Sequence, residues 1–141
     1  MAVTISFFKN TAKLFAEGTV DETKLPVMLT LGYTYAATHS AISQVSGTEV
    51  SVNGWTVGGH TIAAGAITNT GDTTVATLDG TDLAVTAVGG SIGPADGAVI
   101  YDFTGSLPLF YIAFGQTETA GVGTAFAINW NASGIATWTP V

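Results

Sequence analysis

The stretch GPADGAVIYDFTGSLPLFYIAFG, residues 93–115, decides the reading of the fold. It holds two apolar runs of strand length, residues 98–103 and 107–114, rich in β-branched and aromatic side chains. Between them Thr104, Gly105 and Ser106 form a tight connection, so the stretch predicts a β-hairpin. The runs are almost continuously apolar. A strand patterned this way is covered on both faces, here by a second sheet or by a partner chain.

Outward from the hairpin, short strand-like runs alternate with turn signals. Residues 25–31 predict a strand, with Pro26 placing its start at a sheet edge. Further strands are expected over 61–69, 73–78, 83–88, 125–130 and 135–139. The turns between them fall at Asn53-Gly54, Gly58-Gly59, 69–72, Asp79-Gly80 and 131–134. Residues 32–38, with Tyr33 and Tyr35, read as a loop, as do the glycine-rich stretches 89–96 and 116–123. Residues 39–45 predict one helical turn capped by Thr38 or Ser40. About eight short strands at regular spacing call for a mainly β, single-domain β-sandwich or jelly-roll-like barrel.

The N-terminal segment reads differently. In residues 5–17, Phe8, Ala12 and Phe15 fall at i, i+4 and i+7, with Gly18 following as a C-cap, which predicts a short helix. Val3, Ile5 and Phe7 also alternate, which is the pattern of a strand. The expected organisation is an N-terminal helix or arm over 1–24 and a sandwich over 25–141.

Composition narrows the functional classes. Of 141 residues, 47 % are hydrophobic and only 9 % charged, against about 25 % charged in an ordinary soluble domain. Such a neutral, hydroxylated surface suits a protein packed in an assembly. The charge is also unevenly placed. Lys9, Lys13 and Lys24 are the only bases, and Glu17, Asp21 and Glu22 balance them within residues 1–24. The rest of the chain has acids and no base, and carries the whole net charge of −7. Binding to nucleic acid or to an anionic membrane requires bases along the contact, so neither is expected as a partner. No stretch approaches the ~20 apolar residues of a membrane span. The start lacks the basic opening of a signal peptide, so any extracellular release is expected to follow lysis rather than secretion.

The chemistry-bearing residues are few. With no cysteine there is neither a disulfide nor a thiolate metal site. His39 and His60 have no metal-ligand spacing between them and read as satisfied or solvent-facing. Asp72, Asp79 and Asp82 could supply oxygen ligands to a hard cation, but Asp-Gly is ordinary turn chemistry and the EF-hand pattern is missing. Gly89-Gly90-Ser91-Ile92-Gly93 lacks the lysine and following helix of a phosphate loop. No nucleophile elbow is present. No catalytic role, cofactor or metal is expected. Trp55, Trp130 and Trp138 read as core or interface anchors, with sugar stacking as a lesser reading. The candidate interface residues are Phe7, Phe8, Lys9, Lys13, Phe15, Trp55, Tyr101, Phe110 and Tyr111.

Four segments together resemble a group of small virion structural proteins of tailed bacteriophages: NTAKLFAEGTVDETKLPVMLTLGYTY (10–35), SGTEVSVNGWTVGG (46–59), GPADGAVIYDFTG with LFYIAFG (93–105 and 109–115), and INWNASGIATW (128–138). Within them, VSVNGWTVGG, AVIYD and WNASGI follow the group's order and spacing. The resemblance implies a structural role in the virion, on the capsid surface rather than the tail, after synthesis in the bacterial cytoplasm. It points to a capsid decoration, or cement, protein that binds major capsid protein subunits as a homo-oligomer, a trimer or dimer. The alternative is a tail or fibre component with a receptor- or glycan-binding role. The lysines of the N-terminal segment either meet an acidic capsid surface or form the solvated face of a helix.

Overall fold

The structure is a computed structural model that describes residues 3–69 and 75–138. The chain is mainly β, with several antiparallel sheets and one short helix. Strands β1 (Thr4–Phe7), β2 (Pro26–Thr30), β3 (Glu49–Val50), β4 (His60–Thr61), β8 (Ile92–Asp102) and β9 (Leu107–Ala120) form the large sheet, in the order β1-β9-β8-β2-β3 with β4 also on β2. A three-stranded sheet is made by β11 (Ala136–Trp138), β6 (Ala76–Asp79) and β5 (Ala66–Asn69). A two-stranded sheet is made by β10 (Ala125–Ile128) and β7 (Leu83–Thr86). The arrangement is that of a small β-sandwich. Its sheets keep open edges and do not close into a barrel among the described residues.

The hairpin is the centre of the large sheet, and strand periodicity explains how it is covered. Ala98, Ile100, Phe110, Ile112 and Phe114 point to one face, where they join Val27 and Leu29. There they pack against Leu78, Leu83, Phe126, Ile128 and Ile135 from the two small sheets and their flanks. Val99, Tyr101 and Tyr111 point to the other face with Met28. That face is covered by Phe8, Tyr33 and Val45, with Tyr35 and Ile42 at its margin. The second cover is therefore the chain's own loop layer. At the hairpin tip, the buried carboxylate of Asp102 accepts the Gly105 N–H at 2.7 Å.

Several local expectations are corrected. The hairpin strands run well beyond 98–114: β8 starts at Ile92 and β9 continues to Ala120, through the stretches 89–96 and 116–123 read as loops. Bulges between Ile92, Ala95 and Gly97 absorb the glycines and Pro94. At the other end Phe103 leaves the strand and sits exposed in the turn. Strand β2 is internal, not an edge: it pairs β8 on one side and β3 and β4 on the other. Pro26 is tolerated because it is the strand's first residue.

The helix expected over 5–17 is split. Residues Thr4–Phe7 pair with Ala113–Phe110 as a bulge-free strand, and only Thr11–Ala16 is helical (α1). The alternation of Val3, Ile5 and Phe7 was the stronger signal, because a sheet edge supplies hydrogen bonds that a short isolated helix lacks. Residues 3–24 are thus built into the domain rather than hung from it as an arm. Phe15 of α1 lies 5.9 Å from Phe110 and 4.8 Å from Trp138, centroid to centroid.

The strand expected over 61–69 is two, β4 and β5, separated by a turn. The single turn expected over 39–45 is 3₁₀, at Ile42–Gln44. It is capped by the Gln44 side chain, which accepts the Ser40 and Ala41 N–H groups, and not by Thr38 or Ser40. Beyond Asn69, the turn expected over 69–72 lies outside the described residues, as does the start of the strand expected at 73.

Candidate functional site: two apolar surfaces

The candidate interface residues separate by burial. Phe8, Trp55, Tyr101, Phe110 and Tyr111 are all buried within the chain. Their aromatic area is already used, so they are scaffold, and the expectation that they face a partner is corrected. Trp55 packs edge-on to His60 and Phe126, with centroids 4.9 and 5.6 Å away. The Tyr101 hydroxyl donates to the Gly58 carbonyl at 2.7 Å, while Tyr111 stacks on Tyr35. Burial raises the pKa of Tyr33, Tyr101 and Tyr111; Glu49 adds to the shift at Tyr101, and Asp96 at Tyr111. Phe7, Lys9 and Lys13 are exposed, and Phe15 is half-buried. Lys13 pairs with Glu17 across one helical turn, and Lys24 with Asp21. Such exposed pairs contribute little to stability.

The polar candidates are held by local structure. The His39 Nδ1 meets the Tyr33 hydroxyl at 2.7 Å, and the His60 Nε2 meets the Gly54 carbonyl at 3.0 Å. Asp79 accepts the Gly80 N–H, and Asp82 accepts the Trp130 N–H at 2.7 Å, so both carboxylates shape turns. Among the described residues no group of three or more His, Asp or Glu could hold a metal ion. No helix there is long and apolar enough to cross a membrane.

Two surfaces stand out instead. The first is a plateau of three interlocked loops at one end of the sandwich. The Val88 N–H donates to the Asn53 carbonyl at 2.8 Å. Ala87 exchanges bonds with the 121–124 loop: its N–H reaches the Thr124 carbonyl, and its carbonyl takes the Gly123 N–H, each at 2.9 Å. The Asn53 side chain donates to the Ser91 carbonyl at 2.7 Å. These bonds fix the loops while leaving valines outward. Val57, Val88 and Val122 are 81 %, 68 % and 65 % exposed, and Val52 is partly so. No charged side chain occurs in 50–59, 87–93 or 121–124. Isolated surface valines need no explanation, but here Val88 and Val122 stand on loops bonded through Ala87, and Val57 on the loop tied to them through Asn53.

The second surface is the β1 edge and the groove beside it. β1 is the outermost strand of the large sheet, and Val3, Ile5 and Phe7 are 60 %, 41 % and 42 % exposed. Between β9 and β10 lies a groove of about 380 Å³ lined by Val3, Ile112, Phe114, Phe126 and Ile128, with Glu118 and Asn129 at its rim. A second hollow of about 330 Å³ continues it past Ile5 to Trp130 and Ile135. The small sheets do not reach over β1, so the sandwich stands open there.

Sequence reasoning missed the valines of the plateau, because Val88 read as the end of a strand and Val122 as part of a glycine-rich loop. The usable signal was glycine beside each valine: Val57-Gly58, Val88-Gly89 and Gly121-Val122-Gly123. Comparison of the chain with protein-family models, with curated proteins and with solved structures found no match.

Proposed function

We propose that this chain is a structural protein of a tailed-phage virion, a decoration or cement protein that docks on the outer face of the head and stabilises it. The observation that carries this reading is the loop plateau: fixed by backbone bonds, with no charged residue in its three loops although the Glu49 carboxylate holds the Gly58 N–H beside it, and tipped with Val57, Val88 and Val122. Interface cores exclude charged side chains, and a surface fixed before binding loses little entropy on docking. The valines would bury against major capsid protein subunits, and many copies on one head would add small contacts into a large resistance to internal pressure. The sequence resemblance supports the same reading. The alternative of a glycan-binding tail or fibre module finds less support, since stacking on sugar needs an open aromatic face: Trp55 is buried, and the half-exposed Trp130 and Trp138 are held by the Thr81 carbonyl and by packing on Phe15.

The test is addition of the purified protein to undecorated heads. Saturable binding that raises the melting temperature of the heads is expected, because a ligand of the folded assembly stabilises it. Val57→Asp, Val88→Asp and Val122→Asp should each weaken binding, and the triple variant should abolish it while its circular dichroism stays unchanged. Absence of binding to heads, or binding indifferent to these changes, would refute the reading.

A further inference from the structure

We propose that the β1 edge is the contact between two copies of this chain, paired antiparallel about a two-fold axis at Ile5. The proposal rests on backbone direction, on edge chemistry and on charge, and does not depend on what the plateau binds.

Backbone direction sets the register. The Phe8 N–H donates to the Leu109 carbonyl at 3.1 Å. In an antiparallel ladder the bonded groups alternate, so Thr4, Ser6 and Phe8 turn their N–H and C=O groups toward β9. Val3, Ile5 and Phe7 turn theirs outward. The Tyr35 hydroxyl donates to the Phe7 carbonyl, as an outward carbonyl allows, and marks one end of the open edge. Three outward residues spaced by two can pair with themselves only about the middle one. Ile5 then faces Ile5 of the second copy, and Val3 faces Phe7.

The edge is unguarded. Native sheets protect an exposed edge with lysine, proline, a bulge or a covering element. Among the described residues β1 has no lysine, proline or bulge within Thr4–Phe7, its ladder to β9 has no register shift, and the only cover is the Tyr35 hydroxyl on the Phe7 carbonyl at its end. Its three exposed apolar side chains lie on the face that borders the groove, so a second copy would extend the apolar floor and cover part of the open side.

Charge selects a second copy as the occupant. Two bodies that each carry −7 repel over most of their surface. Residues 1–24 are the balanced part, and hold every lysine of the chain. Pairing through β1 brings the balanced segments together and keeps the acidic bodies apart. A closed two-fold pair leaves no β1 edge for further addition.

The experiment uses the purified full chain and its lack of cysteine. Sedimentation velocity and light scattering across micromolar concentrations should give a dimer. Ile5→Lys should give a monomer with unchanged circular dichroism. Residues opposite in a bonded pair have Cα atoms about 5.5 Å apart, within disulfide reach. Mild oxidation should therefore link Ile5→Cys into a covalent dimer. Thr4→Cys and Ser6→Cys, two residues out of step with their own mates, fall beyond the ~7 Å limit and should link far more slowly. A monomer or trimer at all concentrations, an open-ended aggregate, a dimer unaffected by Ile5→Lys, or equal cross-linking at all three positions would overturn the proposal.

Discussion

The buried hydroxyl of Thr11 donates to the carbonyl of Leu109 at 2.6 Å, joining α1 to the bulge of β9 across 98 residues of sequence. The same carbonyl also accepts the Phe8 N–H at 3.1 Å. Leu109 is the extra residue between the Phe110 and Pro108 pairings, so its carbonyl turns out of the β8 ladder and is left for the N-terminal segment. Thr11→Val keeps the shape and removes the donor, but leaves the carbonyl one partner. The expected loss is about 1 kcal/mol, read as a lower urea midpoint at unchanged slope.

Gly59 presses on the middle of the large sheet. A Cβ there would sit 2.1 Å from the Val27 carbonyl oxygen, on a residue whose φ is +88°. β2 is hydrogen-bonded on both sides and cannot withdraw. Gly59→Ala should cost more than about 4 kcal/mol, a size reserved for specific structural damage. Gly18→Ala is the control: its φ is +65° with open space around it, so only the left-handed backbone cost of about 1–2 kcal/mol is expected. Equal losses of stability in the two variants would contradict this account.

Trp55 is buried, and its indole N–H has no hydrogen-bond partner among the described residues. Trp55→Ala should cost about 3–5 kcal/mol through the cavity left against Phe126. Trp55→Phe should cost less, since it fills part of the space and removes the orphan donor. In fluorescence, Trp55→Phe should remove the bluest component of the emission and leave the half-exposed Trp130 and Trp138.

Alkaline pH should unfold the protein through its tyrosines. Burial holds Tyr33, Tyr101 and Tyr111 above the ordinary value of 10.0, so the folded state keeps protons that the unfolded state gives up. Stability from this source is complete below the unfolded value. It falls as pH rises from there through the folded values. Phenolate absorbance should show Tyr33, Tyr101 and Tyr111 titrating late and together with loss of circular dichroism. Tyr111→Phe should move the alkaline transition upward, if its packing on Tyr33 and Tyr35 is kept.

The plateau valines should be thermodynamically silent in the free protein. Val57→Asp and Val122→Asp leave the interlocking backbone bonds intact. Each should change stability by no more than about 0.5 kcal/mol, as for surface positions generally. A large loss of stability in the isolated chain would mean that these side chains serve the fold.

Much of this architecture was legible in the sequence. The β-branched and aromatic runs containing AVIYD and LFYIAF, with turn residues between, predicted the hairpin, and the near-absence of polar breaks predicted its double cover. The period-two and turn signals also led to a mainly β domain. Strand ends were less legible. Gln116, Thr117, Glu118 and Thr119 look like a loop, yet they pair through backbone groups that take no account of side-chain polarity. Edge and centre were not legible at all: Pro26 starts an internal strand because its first position needs no N–H bond on that side.

What the chain by itself determined is chemistry and periodicity: few charges, all bases within the first 24 residues, no thiols, and apolar side chains in strand rhythm. These are sums and spacings, and they survive any folding. Tertiary structure alone decided which apolar residues are used up. Tyr101, Phe110 and Tyr111 vanish into the core because the 31–45 layer closes over one face of the large sheet and the small sheets over the other. Val3, Ile5 and Phe7 stay open because neither cover reaches the outermost strand. Exposure depends on what lies across space from a side chain, and that contact is made by residues up to a hundred positions away.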